Sequence, residues 1–105
     1  MGPVEKIICE KLDKDLWPEV LEVTNESFMH SVPPNSETHF KAVVVSSVFT
    51  SKRQVQRHQL IYKILAHELA GGVHALALHT YSPVEWSDRA KEVPDSPNCL
   101  GASAR

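Results

Sequence analysis

The sequence predicts one small α+β domain, a two-layer arrangement of helices and a mixed sheet, and three observations carry that prediction. Apolar residues recur at helical spacing in two stretches, near the chain start and over 51–70. They alternate with a period of two in three others, over 19–25, 37–46 and 73–81. The pair Gly71-Gly72 falls between the second helical stretch and the last alternating one, a helix stop followed at once by a strand.

Each element has its own signals. Pro3 suits a first helical position, and Val4, Ile7, Ile8 and Leu12 form one apolar stripe that should end near Lys14. Asp15-Leu16-Trp17-Pro18 reads as a turn, because the residue before a proline is pushed out of the helical region. Glu19 to Asn25 alternates with Leu21 and Val23 inward. Glu26 to Ser36 is a loop holding Phe28, Met29 and His30, long for a hairpin connection and therefore a place to look for function.

Glu37 to Ser46 forms the second strand, with Phe40, Ala42 and Val44 on one face and His39, Lys41, Val43 and Val45 on the other. Ser51-Lys52-Arg53-Gln54 has the form of a capping box, and the following helix runs to about Ala70. Leu60, Ile61, Ile64, Leu65 and Leu69 make its buried stripe, whereas Lys52, Gln56, Gln59, Lys63 and His67 make its wet face. Two glycines supply the flexible, left-handed backbone that ends it. Pro83 to Trp86 starts a short closing helix with Trp86 packed back on the domain, so the domain spans 1–86 and a disordered tail follows over 87–105.

The first two strands should pair antiparallel through their loop. The strand-helix-strand crossover then sets the third strand parallel to the second, with right-handed connection. In a parallel pair both strands start at the same end of the sheet. The loop with His30 feeds one start and His74 opens the other, so these two histidines should meet although 44 positions separate them.

Composition restricts the function classes. At 105 residues the chain leaves little room for a deep enzyme cleft, and a formal charge of -2 creates no general attraction to nucleic acid. The charge is uneven: residues 1–37 hold eight acids against three lysines, and 38–67 hold Lys41, Lys52, Arg53, Arg57 and Lys63 without an acid. Lys52 and Arg53 stand at the positive end of a helix dipole, which hints at an anionic partner. No apolar run reaches the ~18 residues of a membrane span, and no charged-then-apolar leader opens the chain. Cys9 and Cys99 are too far apart in character for a structural disulfide, which fits a reducing compartment. Phosphate-binding glycine loops and a nucleophile with an evident base are absent, so a non-enzyme is expected.

The six histidines do not form a cage. His74 and His79, five apart on a strand, point to opposite faces, and His58 and His67, nine apart on a helix, lie on opposite sides. His58, His67 and His79 read as structural or solvent-facing. What remains is a half-site of two imidazoles, His30 and His74, that would need further ligands from elsewhere.

Ser36-Glu37-Thr38-His39-Phe40, the run Val43-Val44-Val45-Ser46, Arg57-His58 and Val73-His74-Ala75-Leu76-Ala77-Leu78-His79 together resemble the BolA family, in the right order and from about Pro3 to Trp86. The chain start, Asn25-Glu26-Ser27, Val32-Pro33-Pro34 and the tail's Ser96-Pro97-Asn98-Cys99 resemble vertebrate mitochondrial members more closely than bacterial ones. The resemblance implies a type II KH-like topology, α-β-β-α-α-β, with a three-stranded mixed sheet and helices on one face. It implies a mitochondrial partner of a monothiol glutaredoxin in iron-sulfur cluster assembly and redox homeostasis. A bridged 2Fe-2S cluster is shared in that family, with His74 matching one ligand and His30 the second, while the glutaredoxin and glutathione thiols complete it; His39, near the same loop, is the alternative second ligand. The competing expectation is a KH-like nucleic-acid-binding regulator whose Lys52, Arg53 and Arg57 meet phosphates. Against it stand the slightly acidic balance and the lack of a GXXG loop.

Overall fold

A computed structural model describes residues 2–29, 32–33 and 35–89. The elements are α1 (Pro3–Leu16), β1 (Val20–Asn25), β2 (His39–Val45), α2 (Gln54–Ile64), α3 (Ala66–Ala70), β3 (Ala75–Tyr81) and α4 (Pro83–Arg89), with single 3-10 turns at Ser27–Met29 and Ser47–Phe49. The α-β-β-α-α-β order implied by the family resemblance is therefore present. The longer helix expected from periodicity alone is divided at Leu65, whose φ of -101° and ψ of 21° leave the helical region. Apolar periodicity carries through such a break, which is why it hides it.

The sheet has the order β1-β2-β3, antiparallel then parallel. Leu21 faces Val44 and Val23 faces Ala42, and on the other side Phe40 pairs with Leu76 and Ala42 with Leu78, so one face collects the large apolar residues. Against it α1 buries Ile8, Leu12 and Leu16, and the later helices bury Ile61 and Leu65, with Phe49 and Val73 closing the core. Leu60, Ile64 and Leu69 pack at its margin, as the stripe predicts, and Gln56, Gln59, Lys63 and His67 are exposed. Each fully buried Leu or Ile contributes roughly 1.5–3 kcal/mol.

The helix ends depend on distant residues. The Glu37 carboxylate accepts the N–H groups of Val4 and Glu5 at 3.0 to 3.2 Å, capping α1 from the start of the second strand segment. At the other end Ser46 Oγ donates to the Leu16 carbonyl at 2.6 Å, and Trp17 takes a left-handed conformation with φ 45°. The capping box lies two residues later than expected: Gln56 Oε1 accepts the N–H of Arg53, and Ser51 sits in a left-handed turn with φ 71°. Gly71 ends α3 with φ -95° and ψ -116°, so the left-handed stop expected there is replaced by a conformation that is open to glycine for a different reason, its unusual ψ.

The sheet's second face is partly covered. Val45 is fully buried although it lies outside the main core cluster, and Tyr81, its register partner, carries the Trp86 ring at 5.3 Å and the Arg89 guanidinium at 4.9 Å. Trp86 thus packs back as expected, but α4 continues to Arg89, three residues past the expected boundary at 86. The rest of the expected tail, 90–105, lies outside the described residues. Among the described residues no helix is long and apolar enough to cross a membrane.

Candidate functional site at the strand starts

The parallel register of β2 and β3 sets His39 level with Ala75, one residue beyond His74. The Thr38 carbonyl accepts the N–H groups of both His74, at 2.7 Å, and Ala75, at 3.2 Å. That shared acceptor ties the two strand starts together. The His39 and His74 rings consequently meet edge to face, 6.2 Å between centroids and 74° between planes. His74 lies just outside the strand and is exposed, whereas His39 is half-buried.

The turn after β1 supports this end. Asn25 bridges it, accepting the Ser27 N–H and donating to the Ser36 carbonyl, each at 2.9 Å. Ser27, only 3% exposed, offers its Oγ to the N–H groups of Thr38 and His39. Thr38 Oγ1 in turn lies 2.7 Å from His39 Nδ1. Beside this turn Phe28, 81% exposed, rims a cleft of about 380 Å³ with Val32 and Pro33, and Met29 is also exposed. Large apolar side chains left in water next to a pair of imidazoles suit a surface that another protein covers.

Of the expected ligand pair, His74 is placed and His30 lies outside the described residues. Among the described residues, His39, the alternative second ligand, is the imidazole brought to His74. Among the described residues no group of three or more His, Cys, Asp or Glu could hold a metal ion.

The other histidines have different surroundings. His79 is half-buried on the second face; burial, then Lys41 and Arg89, push its pKa down. His67 is exposed, and His58 is half-buried with an Nε2 that meets no hydrogen-bonding partner. Burial, then Glu5 and Glu10, push the Cys9 thiol up, which makes it a poor nucleophile. Cys99 lies outside the described residues.

The expected phosphate contacts need a correction. Arg57 is 4% exposed and its guanidinium is filled: Nε donates to the Lys52 carbonyl, Nη1 to the Thr80 carbonyl and Glu85, Nη2 to Glu85. The Arg57 hydrogen bond and then the Ser82 N–H hold the Glu85 carboxyl at about 2, well below its usual 4.5. Arg57 joins α2, β3 and α4 and is not presented to a ligand. Lys52 is half-buried and Arg53, beside it, is exposed. Sequence reasoning missed Ser27, Thr38, Glu37 and Glu85. Thr38, next to His39 in Ser36-Glu37-Thr38-His39-Phe40, is the one readable signal, because a hydroxyl next to a ligand-type histidine is a natural partner for its second nitrogen.

Residues 12–85 match the family model described as BolA-like protein. The chain is 49% identical over 102 residues to the DNA-binding transcriptional regulator BolA of Vibrio cholerae, covering 97% of this chain and 96% of that one. It is 50% identical over 105 residues to BolA-like protein 1 of Pongo abelii, covering all of this chain and 76% of the relative. Among solved structures, the solution structure of BolA1 from Mus musculus superposes with a TM-score of 0.81 at 50% identity, over 96% of this chain and 81% of that one. The BolA domain of SufE1 from Arabidopsis thaliana does so with 0.76 at 42% identity, over 81% of this chain and 98% of that one.

Proposed function

The chain belongs to the BolA family, and from that premise we propose that it is a non-enzymatic iron-sulfur trafficking factor that pairs with a monothiol glutaredoxin. The observation that carries this reading is the pair of imidazoles, His39 and His74, held 6.2 Å apart at an exposed end of the sheet in a chain whose described residues hold no complete metal site. Such a donor set fits a cluster whose other ligands come from a partner, here the glutaredoxin cysteine and glutathione. His74 is the exposed ligand, and His30 or His39 is the second.

A 2Fe-2S cluster with imidazole in place of thiolate on one iron carries less negative charge and a shifted potential. This chain's residues supply the rest. The Thr38 carbonyl fixes the backbone under His74, and the apolar Phe28 and Met29 lie where a partner would exclude water. Neutral imidazoles are also protonatable and replaceable, which suits release of the cluster to a client protein. A mitochondrial location, and delivery to or maturation of mitochondrial iron-sulfur proteins, belong to this proposal. Likeness to the vertebrate relatives supports the location, although a bacterial relative is matched within one percentage point.

The test is a titration of the protein into cluster-loaded monothiol glutaredoxin with glutathione, followed by visible circular dichroism. The expected result is a new spectrum that saturates at equal amounts and is lost in His74→Ala. An unchanged spectrum in His74→Ala, His39→Ala and His30→Ala alike removes all three histidines as ligands and ends the proposal.

The name of the Vibrio cholerae relative supports a second reading, DNA binding through the start of α2. With Arg57 buried, Lys52 and Arg53 would have to carry it. Affinity should then fall steeply with salt and fall again in the double alanine variant of these two residues. Absence of binding at low salt rejects it.

A further inference from the structure

Among the described residues β3 is an edge strand of the sheet. The Ala75 N–H donates to the Thr38 carbonyl and the Tyr81 carbonyl accepts from Ser46, so in this parallel ladder the backbone of Ala75, Ala77, His79 and Tyr81 turns toward β2. The N–H and C=O groups of Leu76, Leu78 and Thr80 therefore point outward. Gln54 Nε2 and Arg57 Nη1 donate to the Thr80 carbonyl at 3.1 and 3.2 Å, which closes the edge there. Among the described residues no hydrogen bond reaches the outward groups of Leu76 and Leu78. Edge strands are ordinarily guarded by charge or proline. β1, the opposite edge, carries the exposed Glu22, whereas Ala75–Tyr81 holds no Lys, Arg, Asp, Glu or Pro. Ala75 and Ala77 are exposed, and Leu76 and Leu78 are only half-buried.

We propose that this edge is a self-association surface, at which a second copy of the chain adds antiparallel through residues 75–79 and joins two three-stranded sheets into one. The free stretch is its own complement. With the two-fold axis at Ala77, Leu76 of each copy meets Leu78 of the other, and each such pair exchanges both N–H···O=C bonds, so every outward group over 75–79 is matched. Ala77 faces Ala77 across the axis, a small residue at the closest approach, and Ala75 faces His79, so no like charges meet. An axis at Leu78 would instead set Leu76 against Thr80, whose carbonyl is already taken. A pairing of this kind uses the same edge on both copies and closes as a dimer. The ends that carry His39 and His74 then lie at opposite ends of the joined sheet, so each copy keeps its own. One short strand per copy makes a small interface, with a Kd on the order of 0.1–1 mM.

The experiment is sedimentation velocity of the full chain under reducing conditions, from about 0.01 to about 1 mM, where the mass should rise from one chain toward two. Ala77→Glu sets two carboxylates directly opposite each other from an exposed position, and should stay monomeric throughout with unchanged far-ultraviolet circular dichroism. In a background of Cys9→Ala and Cys99→Ser, Ala77→Cys should oxidise to a covalent dimer, because the facing Cα atoms lie about 4.5 Å apart. Ala75→Cys, about 13 Å from its own counterpart in this register, should do so at least ~10-fold more slowly. A wild type that stays monomeric, assemblies larger than two, a dimer that survives Ala77→Glu, or Ala75→Cys cross-linking as fast as Ala77→Cys overturns the proposal. If Ala77→Glu unfolds, the two cysteine variants decide.

Discussion

Replacing Glu85 by glutamine should destabilise the protein by about 2 kcal/mol at neutral pH, by a route that the structure specifies. Glu85 makes two hydrogen bonds to the buried Arg57 guanidinium, at 2.6 and 3.0 Å, and accepts the Ser82 N–H at 2.9 Å. Glutamine keeps the shape and one acceptor but removes the charge opposite Arg57. A hydrogen bond to a charged partner contributes about 1.5–3 kcal/mol, and the lower part of that range applies because the Glu85 side chain is 45% exposed and screened by water. For a domain of this size ~2 kcal/mol corresponds to roughly 8–16 °C in melting temperature.

The pH dependence provides an independent signature. Glu85 titrates at about 2 in the folded chain against an ordinary 4.5, a depressed value, so its contribution is complete above 4.5 and is lost as pH falls through about 2. Wild type and Glu85→Gln should therefore differ most near neutral pH and converge on acidification. Urea denaturation followed by far-ultraviolet circular dichroism measures the gap, and Trp86 fluorescence reports whether α4 leaves Tyr81. A gap below about 0.5 kcal/mol, the range of ordinary surface substitutions, or one that persists unchanged at low pH, would refute the assignment of Arg57 as a structural clasp.

Three further outcomes are expected. Glu37→Ala removes the carboxylate that accepts two N–H groups of α1 and should cost about 1–2 kcal/mol in denaturant titration, although the sequence assigns it to the start of a strand 33 positions away. Leu12→Ala, in a residue with 0% exposure beside Ile8 and Leu16, should cost about 2–5 kcal/mol by the same assay. His74→Ala, at an exposed position with its N–H bond to Thr38 retained, should leave stability within about 0.5 kcal/mol while altering the spectrum of the mixed complex; a large loss of stability would make His74 structural.

Much of the fold was legible because its signals are local. The period of two in Phe40-Lys41-Ala42-Val43-Val44 identifies the strand and its inward face, and Phe40, Ala42 and Val44 are the residues buried there. The stripe Leu60, Ile61, Ile64, Leu65 and Leu69 marks the buried side of α2 and α3, but spacing does not register the break at Leu65, where one residue leaves the helical region and the apolar side continues. His74 could be picked out because a histidine at a strand's mouth is a local fact. Its meeting with His39 depended on the parallel crossover, which the order of elements implies, and on the register, which it does not.

Chain order and side-chain period settle which residues share a face, because both follow from backbone geometry within a few residues. They also settle that β2 and β3 start at one end of the sheet. The fate of Arg57 was decided elsewhere: a basic residue near a helix start looks like a phosphate contact until Glu85, 28 positions later, is folded against it. The same holds for Glu37, which caps a helix 33 positions earlier, and for Ser27, which supports Thr38 and His39 from the neighbouring turn. Hydrogen bonds and ion pairs of this kind leave no period in the chain, since a polar residue's partner is chosen by the packed core that brings the two together.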